Sequence, residues 1–329
     1  MNKANKTLIV ADIGGTNARF ACADAQDQSL SEIKSFKPSG FGTFEAALAA
    51  YLRTLDEPAP REIAIGAAGP LAKGKIHLTN INWTIDPDAL AHSFGLKTSV
   101  LANDLVMMAA GISRAPREAF EPLPGPAAAN PFRTLVIAIG TGLGVAWYER
   151  EGESVLVHPT EAGHMTFAAT DTAGAGLVSA ASQSGQSLSF ESIISGVGIK
   201  FVYNALKGSA PAYDNSESIF VAAEAGTNHA ARNTFALVTR ALATFAHDLM
   251  HALGGVDEII FAGGLGRRLK RELQESGFLA ILRDSKGSPL DFSQVSVRLA
   301  VDDKLPLLGA LHLALGSVAF DHAPSKESR

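Results

Sequence analysis

Three short clusters hold the residues best suited to chemistry. In LIVADIGGTNARFA, residues 8–21, an apolar strand ends in Asp12 and a Gly14-Gly15-Thr16-Asn17 turn follows at once. Bare glycine amides can approach a phosphate closely. Thr16 and Asn17 add hydrogen-bond donors, and Asp12 is placed to orient a metal-bound water. Asn103-Asp104 follows a second apolar strand and precedes an apolar helix. A carboxylate there can take a proton from a substrate hydroxyl, but Asn and Asp are equally common N-caps, and the local sequence favours the cap. EAGH, residues 161–164, offers Glu161 and His164 on one loop. That pair suits sugar hydroxyls, which both donate and accept.

A zinc site has little support. One cysteine, Cys22, leaves no disulfide framework and no cysteine zinc site; it reads as a small buried residue. His247 and His251 stand at i and i+4, but a core face already explains their helix and no third ligand is evident. They read as surface residues.

The glycine turn after Asp12 fits neither of two familiar nucleotide patterns. It lacks the lysine of a P-loop, and ARFACA resumes a strand where a dinucleotide fold would start a helix. A hairpin remains, either plain or phosphate-binding. LVIAIGTGLGVAW, residues 135–147, has the same form and supplies Gly140, Thr141 and Gly142. A third turn, AGG at 262–264, leads Gly263 and Gly264 into a helix whose N-terminal amides could meet adenosine or an anion. Two such hairpins in two halves can clamp one nucleotide's phosphates from both sides. The residues alone support a nucleotide or phosphate cleft. The set of three turns resembles the sugar kinase, heat-shock ATPase and actin superfamily. That resemblance implies a two-domain α/β fold of the actin-like ATPase (ribonuclease H-like) kind, with nucleotide and sugar in the interdomain cleft.

Strand and helix patterns must hold these turns in place. The first hundred residues alternate between them, with strands expected at LSEIKSF, EIAIGAA and TSVLA and helices at 43–55 and at LVMMAAGI. Residues 114–133 carry five prolines and read as a connection. Phe235, Val238, Leu242, Phe245, Leu249 and Leu253 form one helical stripe, stopped by Gly254-Gly255. QVSVRLAV reads as a strand and PLLGALHLALGSVAF as a closing helix, while AASQSGQSLS and KGSAPAYDNSES read as polar loops. A chain of 329 residues is long for one core. The expected division is residues 1–114 plus 305–321 as a small domain, 115–304 as a large one, and 322–329 as a flexible tail. A net charge of −5 gives no footprint for nucleic acid or an anionic membrane. No signal-peptide core or membrane-length run is found, so a soluble cytoplasmic protein is expected.

DIGGTNARF, LTNINW, LANDL, GTGLGVAW, EAGH, FESIISGVG and FAGG occur in the order found in bacterial glucokinases of the proteobacterial type. The resemblance spans about Leu8 to Gly316. It implies ATP-dependent phosphorylation of glucose at the 6-hydroxyl, with Mg²⁺ as cofactor and Asp104 as general base. By motif, glucose would be held by Asn80, Asn103, Asp104, Glu161, His164 and Glu191, the last of which locally looks like an ordinary helix glutamate. A homodimer is implied as well, and a place in glycolysis. The alternatives are another hexose kinase, acting on fructose or mannose or using polyphosphate, and a non-catalytic sugar sensor. Retention of Asp104 and both hairpins argues against the sensor.

Overall fold

The computed structural model describes residues 7–56, 59–78 and 81–321. In chain order, the elements begin with β1 (Thr7–Ile13), β2 (Ala18–Asp24), β3 (Leu30–Phe36), α1 (Phe44–Leu52), β4 (Glu62–Ala67), β5 (Leu71–Ala72), β6 (Lys75–Leu78), β7 (Trp83–Ile85), α2 (Pro87–Phe94), β8 (Lys97–Asn103) and α3 (Asp104–Arg114). Next come β9 (Phe120–Pro122), β10 (Arg133–Ile139), β11 (Leu143–Glu151), β12 (Ser154–Thr160), α4 (Thr172–Gln183), α5 (Gly196–Leu206), α6 (Ser216–Glu224) and α7 (His229–Ala252). The chain ends with β13 (Glu258–Ala262), α8 (Gly264–Arg268), α9 (Lys270–Leu273), α10 (Ser276–Leu282), β14 (Ser296–Ala300), α11 (Leu305–Ala314) and β15 (Ala319–Phe320). The described residues divide into two compact units, one of 7–117, 146–159 and 302–321, the other of 118–145 and 160–301.

In the first unit, five strands lie in the order β3-β2-β1-β4-β8. Strand β1 pairs antiparallel with β2 and parallel with β4, and β4 runs parallel to β8. Alternating residues of β1 and β2 bury Ile9, Ala11, Ile13 and Phe20 against Phe44, Leu48 and Tyr51 of α1. Phe20 stacks on Tyr51 with centroids 5.2 Å apart. Cys22 is half-buried and accepts a hydrogen bond from the Tyr51 hydroxyl at 3.5 Å. β3, the sheet edge, exposes most of its side chains, as a half-solvated edge strand does.

Helices α3 and α11 cross at backbone contact in the same unit. A Cβ on Gly111 would lie 1.9 Å from the Leu305 carbonyl oxygen, and one on Gly309 would lie 1.8 Å from that of Met107. Only glycines permit this approach, and it fixes the axis of α3, whose first residue is Asp104. The closing helix is shorter than expected. Gly316, at φ +69°, ends it, and the residues beyond form β15, which pairs with β12.

The second unit carries β10-β13-β14-β9 as neighbours in that order. β10 runs parallel to β13, and β13 to β14. The 24-residue α7 buries Phe235, Val238, Leu242, Phe245 and Leu249, and α10 packs along it. Three expectations need correction here. The proline-rich connection contains β9, which pairs antiparallel with β14 through Phe120↔Ala300. AASQSGQSLS is helical up to Gln183, because Asp171 caps α4 by accepting from the Gly174 amide. His247 is half-buried, and both it and His251 set their ring edges against Phe292. Among the described residues no helix is long and apolar enough to cross a membrane.

Candidate active site

The first unit gathers its expected site residues at the carboxyl ends of its parallel strands, where ligands of open α/β sheets sit. Asp12 is paired with Gly66 of β4, and the next residue, Ala67, is paired with Asn103 of β8. Asp12 and Asn103 are thus two strands apart on one sheet edge, about 10 Å by strand spacing. The turn after β1 is closed from within by the Gly14 N–H, which donates to the Asn17 carbonyl at 2.9 Å.

Asp12 is cross-strand partner to Arg19. Its Oδ2 accepts from the guanidinium Nε at 3.1 Å and Nη2 at 2.5 Å. Burial raises the Asp12 pKa above the ordinary carboxylate value, while the Arg19 charge and hydrogen bonds pull it down. The remaining guanidinium nitrogen donates to the Asp303 carbonyl at 2.7 Å, tying the hairpin to the segment before α11. Lys37 reaches the turn itself, its ammonium donating to Asn17 Oδ1 at 2.9 Å. Neither Arg19 nor Lys37 is among the expected site residues. Arg19 had a signal, an opposite charge across a short turn at a cross-strand position; Lys37, the residue after β3, had none.

Asn103 is the N-cap of α3, accepting from the Leu105 amide at 2.8 Å, and its amide group donates to the Gly69 carbonyl at 3.3 Å. Asp104 Oδ1 also accepts from the Leu105 amide, at 3.0 Å. The cap and carboxylate readings of this pair are compatible, because Asn103 caps the helix while Asp104 opens its first turn. Asn80 lies outside the described residues.

The second unit brings Gly140, Thr141, Gly142, Glu161, His164, Glu191, Gly263 and Gly264 into one packed group. Gly263 is held at φ +85°, and a Cβ there would lie 2.3 Å from the Ile139 carbonyl oxygen, so the AGG turn presses on the strand that feeds Gly140. The Gly140 amide donates to the Gly142 carbonyl at 2.9 Å, and the Gly140 carbonyl accepts from the Gly196 amide at 3.0 Å. Gly163 of the EAGH loop abuts the same turn: its Cβ would stand 2.1 Å from the Leu143 carbonyl oxygen.

Glu191 joins these pieces. It lies on a turn before α5, where a helix had been the local expectation. Its neighbour Phe190 is buried against Phe245 of α7, centroids 4.6 Å apart. Its amide donates to the Gly163 carbonyl at 2.9 Å, and its Oε2 accepts from the Leu143 amide at 2.9 Å. His164 stands between two carboxylates, with Nε2 3.8 Å from Glu161 Oε2 and Nδ1 3.9 Å from Glu191 Oε1. The Glu161 and His164 side chains are largely exposed, 80% and 64%, which leaves them open to a solute.

No group of three or more His, Cys, Asp or Glu among the described residues could hold a metal ion. A dedicated protein cage is therefore not what the described residues offer. Asp12, with Oδ2 committed to Arg19, suits the one water-mediated contact by which Mg²⁺ that keeps its waters and binds phosphate is held.

The chain resembles known proteins over most of its length. The family model described as Glucokinase matches residues 9–316. A glucokinase of Zymomonas mobilis is 30% identical over 311 residues, covering 92% of this chain and 96% of that protein. The crystal structure of a glucokinase from an Antarctic psychrotroph superposes with a TM-score of 0.78 at 28% identity, covering 95% of this chain and all of the other. A glucokinase of Streptomyces griseus, solved with glucose and AMPPNP, shares the fold at TM-score 0.64 and 20% identity, over 93% of this chain and 98% of that one. The chain belongs to the glucokinase family and has its two-domain, actin-like ATPase fold.

Proposed function

We propose that the protein transfers the γ-phosphoryl group of MgATP to the 6-hydroxyl of D-glucose, giving glucose 6-phosphate and ADP, with Asp104 as general base. The observation that carries the role of Asp104 is its place. It stands at the carboxyl end of β8, on an α3 packed at backbone contact against α11 through Gly111 and Gly309, on the same sheet edge as the Asp12 turn. A fixed carboxylate beside a phosphate turn can accept the 6-hydroxyl proton as that oxygen attacks phosphorus.

The remaining roles follow from donor and acceptor type. Asn103, Asp104, Glu161, His164 and Glu191 exchange hydrogen bonds with the sugar hydroxyls, and Asn80 belongs to this set by motif. Amides of Gly15 and Thr16, with the Asn17 side chain, receive phosphate oxygens, as do those of Thr141 and Gly142; Gly14 and Gly140, whose own amides close the turns, leave room for the phosphate to approach. Gly263 and Gly264 receive the adenosine end. When bound, Mg²⁺ neutralises charge on the β- and γ-phosphates; Asp12 orients one of its waters. A sugar phosphate made from ATP suits the entry to glycolysis, and a cytoplasmic location goes with that reading. It acts there as a homodimer, which the mass from sedimentation equilibrium in the analytical ultracentrifuge checks directly.

Purified protein supplied with MgATP and glucose should form glucose 6-phosphate. Asp104→Asn should lower kcat by about 10²–10⁴-fold and still bind glucose by calorimetry. A wild-type protein that binds glucose without ever turning it over would be a sensor and would sink the assignment. Preference for fructose or mannose in a hexose panel would change the substrate alone.

A further inference from the structure

The Glu191 carboxylate makes contacts that a sugar ligand alone does not need. Its Oε2 is committed inward, to the amide of Leu143, the residue that leaves the Gly140-Thr141-Gly142 turn. The same oxygen occupies the space beside Gly142, where a Cβ would come within 2.6 Å of it. Its Oε1 faces the other way, toward His164 Nδ1 at 3.9 Å. The backbone of Glu191 is fastened to the EAGH loop through its amide and the Gly163 carbonyl at 2.9 Å. The side chain is 35% exposed, so one oxygen is braced and the other is within reach of a solute.

From this geometry we infer that Glu191 is a positioning residue for the phosphate turn, coupling sugar occupancy at Oε1 to the set of that turn through Oε2. The inference rests on the reading of Glu191 as a sugar ligand. A hydroxyl donating to Oε1 fixes the carboxylate plane and so the position of Oε2. Because Oε2 holds the Leu143 amide by a charge-assisted bond, the turn follows. Linkage makes the effect reciprocal: whatever factor the sugar applies to phosphate binding, phosphate applies to sugar binding.

Gly142→Ala separates this from a local lesion, since Gly142 lies in the phosphate turn and its Cβ would push Oε2 aside. Glucose binding is measured by calorimetry with no nucleotide present, on variants whose thermal transitions show them folded. Gly142→Ala should weaken glucose severalfold; unchanged glucose affinity overturns the coupling. Glu191→Gln serves as the second variant and covers the case in which Gly142→Ala does not fold. AMPPNP with Mg²⁺ is titrated with and without saturating glucose. Wild type should bind the nucleotide severalfold tighter with glucose present, and Glu191→Gln should bring that ratio close to one. If Glu191→Gln weakens glucose but keeps the wild-type ratio, the coupling falls and the sugar-ligand reading stands. If Glu191→Gln leaves glucose affinity unchanged, the sugar-ligand reading fails and the coupling fails with it.

Discussion

The two glycine hairpins look alike in sequence and are held by different means. The turn at Gly14–Asn17 is closed by its own backbone and steadied by charge: Asp12 with Arg19, Arg19 with the Asp303 carbonyl, and Lys37 with Asn17. Space around Gly14 is ample, the nearest atom to an added Cβ being the Asn17 carbonyl oxygen at 3.6 Å. The turn at Gly140–Gly142 is braced by neighbours packed at backbone distance, namely Gly163, Gly196, Gly263 and the Glu191 carboxylate. The first turn is therefore sensitive to charge and tolerant of volume at Gly14, whereas the second is sensitive to volume at the glycines packed around it and depends on charge only through the Glu191 carboxylate. A shared glycine pattern specifies a bare backbone; what holds that backbone still is decided elsewhere in the chain.

The largest effect should come from volume at the second turn. In Gly163→Ala the new Cβ meets backbone, 2.1 Å from the Leu143 oxygen and 3.2 Å from its carbon, and neither can swing away. Overpacking of this kind costs about 3 kcal/mol, read as a lower urea midpoint at unchanged slope. A midpoint within error of wild type would mean that the loop is not braced as described. Charge at the first turn comes next. Arg19→Met leaves the Asp12 carboxylate without its partner; both side chains are less than one-third exposed. The expected loss is about 2 kcal/mol, below the range for fully buried pairs. KM for ATP should rise more than KM for glucose, and an equal rise in both would argue against a phosphate role for this hairpin.

Acid offers a gentler test, because it reaches the support behind the first turn. His312 is buried on α11, which packs against β1. Burial, reinforced by the Arg114 charge, lowers its pKa from 6.5 to about 4. Between those values the unfolded chain takes up a proton that the folded chain refuses. The contribution to stability is thus complete above pH 6.5 and is lost progressively as pH falls toward about 4. Urea midpoints at pH 7.5 and 5 should differ less in His312→Gln than in wild type. Equal differences would remove His312 as the cause.

How much of this was readable beforehand depended on the range of the interaction. Periodicity found α7 and the buried strands because a helix face or a strand face is a local property, and Asn103 was correctly suspected as a cap for the same reason. The EAGH loop and both hairpins were found from residue type. What escaped was long-range: Lys37 arriving at Asn17, β9 pairing with β14 from within a proline-rich stretch, and the carboxylate of Glu191 under the Leu143 amide. Glu191 was reached through family resemblance, whereas its bracing contact joins residues 48 positions apart and leaves no mark on either segment. The helix at 172–183 was missed because its small and polar residues carry little stripe; its start depends on Asp171 accepting from the Gly174 amide.

The smallest structural effect, Gly14→Ala, is the sharpest test of the contrast. An alanine at this position gains an ordinary contact at 3.6 Å and no clash. Gly14 is also absent from the glycines held at positive φ, so the substitution carries no backbone strain there. Loss of glycine freedom in the unfolded chain works in favour of the variant, and the net change in stability should stay within about 0.5 kcal/mol. A methyl group beside the turn nevertheless keeps phosphate oxygens off the amides that glycine left bare. KM for ATP should rise while glucose affinity, measured without nucleotide, stays at the wild-type value. Gly142→Ala should disturb both ligands, because its Cβ displaces a carboxylate that belongs to the sugar as well. If the two alanine variants gave the same pattern, the hairpins would be held alike and the distinction between a charge-steadied and a neighbour-braced turn would fail.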